Sequence, residues 1–463
     1  MMSRNLAGAL GACATLWLAG CSDNPTAPRV ATAPATDVTA AATAETAALA
    51  AEVRQLAAGS GITALQRPAP VRPELSRLGQ VLSFDKVLSG NRDISCMTCH
   101  LAGDATTDRR SVSVGQGATG LGTARVHPEG TFVHRSAPPL FNLHAMETLT
   151  WDGRVFRSAN GVIRTPGANL LAAQRAVLEC GTASALPMFP VLSRVEMRAA
   201  TGNELAAVPD SLHQRTWKFL MRRLGAIPEY RTMFESAYQG QSFDNMSFAH
   251  AGNAMGCWIT AVFGFNNSPW DRFLAGNDDA LTEVQLRGAQ AFLGTAKCAQ
   301  CHNGPLFTDG KFHNVAVPQV GPGFGNGPNG RDDFGRMRQT GNPANRYAFR
   351  TPPLRNVELT APYGHDGAIV NLRSWVDHYS QSDAKLRAYD PNQLEPLLRG
   401  TLQPTATDIL LTRDSRLNRL VIQPQVVDEI TEFLKSLTDP AARDLRQFVP
   451  AQVPSGLPVD GAP

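Results

Sequence analysis

Cys96-Met97-Thr98-Cys99-His100 recurs far down the chain as Cys298-Ala299-Gln300-Cys301-His302. Residues at i, i+3 and i+4 share one face of a helix, so each run points two sulfurs and an imidazole at one object. Two thiols at this spacing can add to the two vinyl groups of a haem while the adjoining imidazole ligates its iron. A redox dithiol or half a zinc site would use the cysteines but leaves the repeated histidine unexplained, and a zinc site needs two closely spaced ligand pairs. The pattern therefore predicts two covalently attached c-type haems. Cys96, Cys99, Cys298 and Cys301 would anchor them, and His100 and His302 would ligate the irons.

A chain of 463 residues can bury two cores, and two anchors suggest one haem per domain. The net charge is only +3, with 18% charged residues and no basic cluster, which gives no reason to expect nucleic acid. A protein or a small molecule is the expected partner. Arg4 followed by an apolar run to Leu18-Ala19-Gly20-Cys21 reads as a lipoprotein signal peptide, with lipid on the Cys21 thiol. An ordinary signal peptide with an incidental cysteine is the alternative. Either way the expected location is the periplasm, lipid-anchored to the membrane in the first case. Of the eight cysteines, Cys13 leaves with the signal, Cys21 takes lipid and four hold haem. Cys180 and Cys257 remain, as a disulfide in an oxidising compartment or as two buried thiols.

The expected layout is a signal peptide over residues 1–21, an Ala/Thr/Pro-rich tether over 22–68 with a short helix near Glu45 to Leu56, an N-terminal haem domain over 69–240, a C-terminal haem domain over 241–450 and a flexible tail over 451–463. No alternating strand series is visible. Helical periodicity marks Leu75, Leu78, Val81 and Leu82, then Trp217, Phe219, Leu220 and Leu224, then Ala254, Cys257, Trp258, Ala261 and Val262, and finally Leu286, Ala289 and Phe292. Long Gly/Pro-rich loops lie between them. The fold class is all-α. Gly325-Asn326-Gly327-Pro328-Asn329-Gly330 matches a nucleotide-binding pattern, but no strand precedes it and Pro328 interrupts it, so it reads as a loop.

Several further stretches, in order and at matching spacing, resemble the bacterial di-haem cytochrome c peroxidase family, which includes MauG. They are Leu82-Ser83-Phe84-Asp85, Leu88-Ser89-Gly90, Ala137-Pro138-Pro139-Leu140-Phe141-Asn142, Trp151-Asp152-Gly153-Arg154, Val195-Glu196-Met197, Phe307-Thr308-Asp309-Gly310 and the run from Leu354 to Tyr363. The resemblance covers roughly residues 75 to 440. It implies two cytochrome c-like helical domains, a peroxide-reacting N-terminal haem and an electron-relaying C-terminal haem.

The same resemblance supplies expectations for individual residues. Trp151 takes the place of a tryptophan between the haems, although a lone Trp is more often core. Glu196 matches a distal carboxylate able to move the peroxide proton, but Ser193-Arg194-Val195-Glu196 also reads as a capping box. The insertion containing Cys180 departs from the family, as does Ser193-Arg194 in place of the usual Asn-Pro. Tyr379 falls where peroxidases carry a methionine ligand to the C-terminal iron and MauG a tyrosine; Met337 is the only methionine after His302, and His378 is the neighbouring alternative. A phenolate would lower the iron potential, whereas a thioether favours Fe(II). His127 lies near the family's removable distal histidine, one residue out of register, with His134 as a second candidate and a surface-loop histidine as the alternative. Family calcium would use Thr360 and Pro362, with Ser136 where the family has Asn.

The leading functional expectation is a peroxidase reducing hydrogen peroxide to water with electrons from a small periplasmic c-type cytochrome or cupredoxin. Two alternatives stand beside it, a MauG-like enzyme oxidising residues of a partner protein and a membrane-tethered electron-transfer cytochrome without catalysis.

Overall fold

Each haem anchor follows a helix that crosses another helix at a glycine. Pro73–Phe84 starts with Pro at its first turn, where a missing N–H costs nothing, and buries Leu75, Leu78, Val81 and Leu82. It crosses Phe248–Val262 so closely that a Cβ on Gly79 would lie 2.0 Å from the Ala254 carbonyl oxygen. In the second half, Glu283–Leu293 is capped by Thr282 and crosses Pro424–Lys435, where a Cβ on Gly288 would lie 1.9 Å from the Glu429 carbonyl oxygen. Only glycine permits either approach. The two anchors thus hang from similar crossed pairs, Cys96–Cys99 after the first and Cys298–Gln300 after the second.

The computed structural model describes residues 36–462; the expected signal peptide, Cys21 and the first part of the expected tether lie outside them. Helices and short helical turns dominate, with few strands. Two large hydrophobic cores form. One gathers Leu78, Phe84, Trp217, Phe234 and Trp258, and the other Trp270, Phe292, Phe307 and Phe433. No helix among the described residues is long and apolar enough to cross a membrane.

Three expected boundaries need correction. The helix Phe248–Val262, assigned by sequence to the second domain, packs into the first core, which extends through Phe265 before Trp270 opens the second. The tether is shorter than 22–68, because the helix Thr36–Gly59 buries Ala50, Val53 and Ala57 in the second core while Arg54 lies over the Phe273 ring at 4.2 Å. The tail is docked rather than free. Val453, Leu457 and Val459 join the first core, Ser455 Oγ donates to Asp85 at 2.6 Å, and Asp460 pairs with Lys86 at 2.6 Å while also accepting from Thr98 inside the first anchor.

The strands are short but place one key residue. Thr148–Leu149, Val155–Arg157 and Ile163–Arg164 form an antiparallel meander, and Trp151 sits in its first turn. Thr150 at φ 64° and Gly153 at φ 73° shape that turn. Phe312–His313 pairs with Phe349–Arg350, bringing Arg350 against the same turn.

Candidate active site

Two cavities open beside the anchors, with about 1290 Å³ of empty space in the first and about 1540 Å³ in the second, mouths included. Cys96, Cys99 and His100 line the first; Cys298, Cys301 and His302 line the second.

The two histidines are oriented by the same device. Nδ1 of His100 bonds the Thr106 carbonyl at 2.9 Å, and Nδ1 of His302 bonds the Phe307 carbonyl at 3.0 Å. Thr106 at φ 59° and Phe307 at φ 57° turn these carbonyls back toward the rings. With Nδ1 as donor, Nε2 keeps its lone pair for a metal. Burial lowers the pKa of both imidazoles, His302 to about 4, which favours the neutral form that a metal would need. Burial also pushes the Cys96 thiol up to about 11 and Cys298 up to about 12, opposite to the depressed values of a redox dithiol. The four anchor cysteines are unpaired, while Cys180 and Cys257 are joined at an S–S distance of 2.00 Å. This donor chemistry, with apolar walls behind it, fits covalent haem in both cavities.

Glu196 lies in the wall of the first cavity and is its one lining carboxyl. It is carried by a π-helical turn, Arg194–Arg198, a form often found at functional sites. The capping-box alternative is not realised, because Ser193 makes no side-chain cap; its carbonyl instead accepts from Met197 and Arg198. The turn is fastened from outside by Gln116 N to Glu196 O at 2.9 Å and Gly90 N to Met197 O at 2.7 Å. A Cβ on Gly115 would lie 1.8 Å from the Val195 carbonyl oxygen, so the loop beside it must be glycine. Burial raises the Glu196 pKa, opposed by Arg154 and the Ser193 hydroxyl. The disulfide joins the insertion, which runs into this turn, to the helix Phe248–Val262.

Trp151 lines both cavities. Its indole Nε1 donates to Ser136 O at 3.0 Å, and its carbonyl accepts from Arg350 N at 2.9 Å. Beneath it Arg135, buried, pairs with Asp152 at 2.9 Å and Asp333 at 2.6 Å. Arg350 is also buried, in the second cavity's wall, where Nε and Nη1 donate to the Thr150 and Thr351 carbonyls.

Tyr379 ends the helix Leu372–Tyr379 and lines the second cavity, its hydroxyl making no hydrogen bond to another described residue. Burial pushes the phenol pKa up. His378 turns away, bonding the Val315 carbonyl at 2.8 Å and stacking on Trp375. Met337 lines neither cavity.

His127 is not among the residues that line the first cavity, in keeping with the loop-histidine alternative. Its Nδ1 accepts from Glu129 N at 3.0 Å in a turn of its own loop. His134 does line the cavity, bonding the Gly323 carbonyl at 2.5 Å, with its ring tilted 35° against Phe324 at 4.1 Å. Phe324, which sequence reasoning missed, reaches the first cavity from the glycine-rich loop of the second half. Thr360 and Pro362 line the second cavity, and Ser136 lines both. Among the described residues, one His/Cys/carboxylate group has metal-ligand spacing: Cys301, Asp309 and His313. Its cysteine belongs to the second anchor, and His313 is bridged by Asp309 at 2.9 Å and Asp414 at 2.8 Å.

A family model described as di-haem cytochrome c peroxidase matches residues 73–279. The chain is 30% identical over 317 residues to cytochrome c551 peroxidase of Pseudomonas aeruginosa, spanning 67% of this chain and 72% of that one. It is 29% identical over 317 residues to methylamine utilization protein MauG of Methylorubrum extorquens, spanning 68% and 71%. Among solved structures, a MauG-like protein associated with microbial copper homeostasis superposes with a TM-score of 0.59 at 24% identity, covering 83% of this chain and 96% of that one. The diheme peroxidase BthA of Burkholderia thailandensis gives 0.55 at 22%, covering 81% and 88%. These two likenesses speak for the fold alone. The sequence relationships and the matched motifs place the chain in the di-haem cytochrome c peroxidase family, whose membership implies two c-type haems, and make it an oxidoreductase of the cytochrome c peroxidase type.

Proposed function

We propose that this chain reduces hydrogen peroxide to water, taking electrons from a small periplasmic donor protein, a c-type cytochrome or a cupredoxin. In this reading each cavity holds one haem of a cytochrome c-like domain; peroxide reacts in the first and electrons enter through the second. The observation that carries it is the asymmetry of the two cavities. Glu196, the one carboxyl in the first, makes no ion pair with a described residue, whereas Asp414, the one in the second, is paired with Arg416 and His313; Trp151 is shared by both.

A haem iron, when bound, supplies the centre that holds peroxide and delivers electrons to it. The protein's own residues handle protons and position. Glu196, its pKa raised by burial, can take a proton from one peroxide oxygen and return it to the departing one. One peroxide, two electrons and two protons give two waters. Trp151, held at both indole and carbonyl, offers an oxidisable ring between the cavities. No step passes through His127.

A second reading, a MauG-like enzyme that uses peroxide to oxidise residues of a partner protein, draws on Tyr379. Its hydroxyl faces the second cavity as a hard anionic donor once deprotonated, while Met337 stands elsewhere. The periplasmic location with a lipid on Cys21 rests on the N-terminal pattern, and calcium on the Thr360 and Pro362 carbonyls rests on the family resemblance. The test is stopped-flow mixing of the reduced holoprotein with peroxide and a reduced small cytochrome c. Rapid, repeated oxidation of the donor supports the peroxidase. A long-lived oxidised state that ignores the donor supports the second reading, and no spectral response to peroxide overturns both.

A further inference from the structure

Arg350 is a buried cation without an anion. Its Nε donates to the Thr150 carbonyl at 3.1 Å and its Nη1 to the Thr351 carbonyl at 3.2 Å. Nη2 has no hydrogen bond to a described residue, and no described carboxylate pairs with the group. Other buried arginines are treated differently. Arg135 pairs with Asp152 and Asp333, and Arg355 with Asp271. Arg125 has a carbonyl on each nitrogen, Val114 at 2.8 Å, Gly120 at 3.0 Å and Gly115 at 2.7 Å.

An uncompensated guanidinium in a low-dielectric wall is costly, and burial alone pulls the Arg350 pKa down to about 10. The group lines the second cavity, so the missing counter-charge belongs to whatever fills that cavity. A planar fork with a free Nη2 suits a carboxylate. Of the other charged groups in that lining, Arg416 and His313 already pair with Asp414, at 2.7 and 2.8 Å, and Lys297 is exposed to solvent.

We propose that Arg350 binds a carboxylate of the porphyrin in the second cavity and thereby fixes Trp151 relative to it. The second half of the proposal follows from the main chain. Arg350 N donates to the Trp151 carbonyl while Nε holds Thr150, so one residue grips both the ligand and the turn that presents the indole. This rests on the reading of one haem per cavity.

The test uses the holoprotein with Arg350→Gln and Arg350→Lys. Haem is counted first, by its pyridine haemochrome spectrum. Fewer than two per chain in the wild type would mean that the two-haem reading has failed, whatever Arg350 does. With two present, Arg350→Gln leaves a carboxylate uncompensated beside the iron, which stabilises the ferric form. The reduction equilibrium of the second haem should fall roughly tenfold, about 59 mV for one electron. Its potential should also become pH-dependent as the released carboxylate titrates, whereas Arg350→Lys should restore most of the wild-type value and the first haem should be unmoved. A potential and pH profile unchanged in Arg350→Gln would overturn the proposal. So would a wild-type potential that follows chloride concentration, since a small anion would then be the partner; that measurement holds even where the glutamine variant does not fold.

Discussion

His100 and His302 present their Nε2 atoms by one construction, each ring tied through Nδ1 to a carbonyl on a residue at positive φ, Thr106 in one case and Phe307 in the other. The surroundings then separate them. An unbridged carboxyl, Glu196, joins the first cavity, the phenols of Tyr363 and Tyr379 and an ion-paired Asp414 join the second, and Trp151 belongs to both. Equivalent ligands in unlike walls are what a division of labour between a reacting and a relaying centre requires.

Replacing each histidine should therefore give different defects. In His100→Gly both cysteines still attach haem, but peroxide consumption should collapse. In His302→Gly peroxide should still react once at the first centre while repeated turnover from the donor stops. Single-turnover and steady-state rates on the two variants check this; the reverse pattern would exchange the assigned roles.

Glu196→Gln should slow peroxide cleavage by roughly 10²–10⁴-fold, the scale of a lost general acid–base, with little change in stability because no cap is removed. The pH profile carries the sign. Burial raises the Glu196 pKa, so the proton-accepting form is lost as pH falls through a value above the ordinary carboxylate range. The wild-type rate should decline on that limb, and the glutamine variant should show no such limb.

Much of this site is legible in the sequence, because covalent attachment fixes the anchor residues and helical periodicity marks Pro73–Phe84 and Glu283–Leu293 before them. What is not legible depends on contacts between distant segments. Ser193-X-X-Glu196 is a sound local cap signal, yet Gly90 and Gln116 hold the turn in a π conformation that aims the carboxyl inward. Phe324 lies in a loop without periodicity and reaches a cavity built mostly from the other half. Val453, Leu457 and Val459 are too scattered among Pro and Gly to suggest a docked segment, although Asp460 closes on Lys86.

That docked tail is itself testable. Asp460→Ala removes the partner of Lys86 and of Thr98, and leaving buried polar groups unsatisfied costs about 1–3 kcal/mol. Deleting residues 452–463 should cost more, since three apolar side chains leave the first core. Chemical denaturation of the holoprotein measures both, and a deletion variant as stable as the wild type would make the docking inconsequential.

Acid should weaken the region between the cavities. Burial alone would raise the Asp152 pKa, but Arg135 and Arg154 hold it down at about 2. A depressed carboxyl contributes stability that is present above its unfolded value near 3.8 and is lost as pH falls toward about 2. Urea unfolding across pH 2–6 should show this decline in the wild type and a shallower one in Asp152→Asn.

The last prediction concerns Tyr379, which distinguishes the two functional readings. Its hydroxyl has no hydrogen bond to a described residue and faces the second cavity, while His378 is committed to the Val315 carbonyl. Burial disfavours the phenolate in the bare protein, so ionisation needs a strong Lewis acid in the cavity to offset it. If Tyr379 supplies the sixth ligand of the second haem, the ferric holoprotein should give a low-spin signal that disappears in Tyr379→Phe. Tyr379→Met should raise the second haem's potential, because a thioether stabilises Fe(II) where a phenolate stabilises Fe(III). The same change should speed steady turnover with a cytochrome donor and shorten any long-lived oxidised state formed with peroxide. Identical spectra and potentials in all three proteins would leave Tyr379 as a wall residue packed edge-on to Trp375, and the MauG-like reading would lose its structural support.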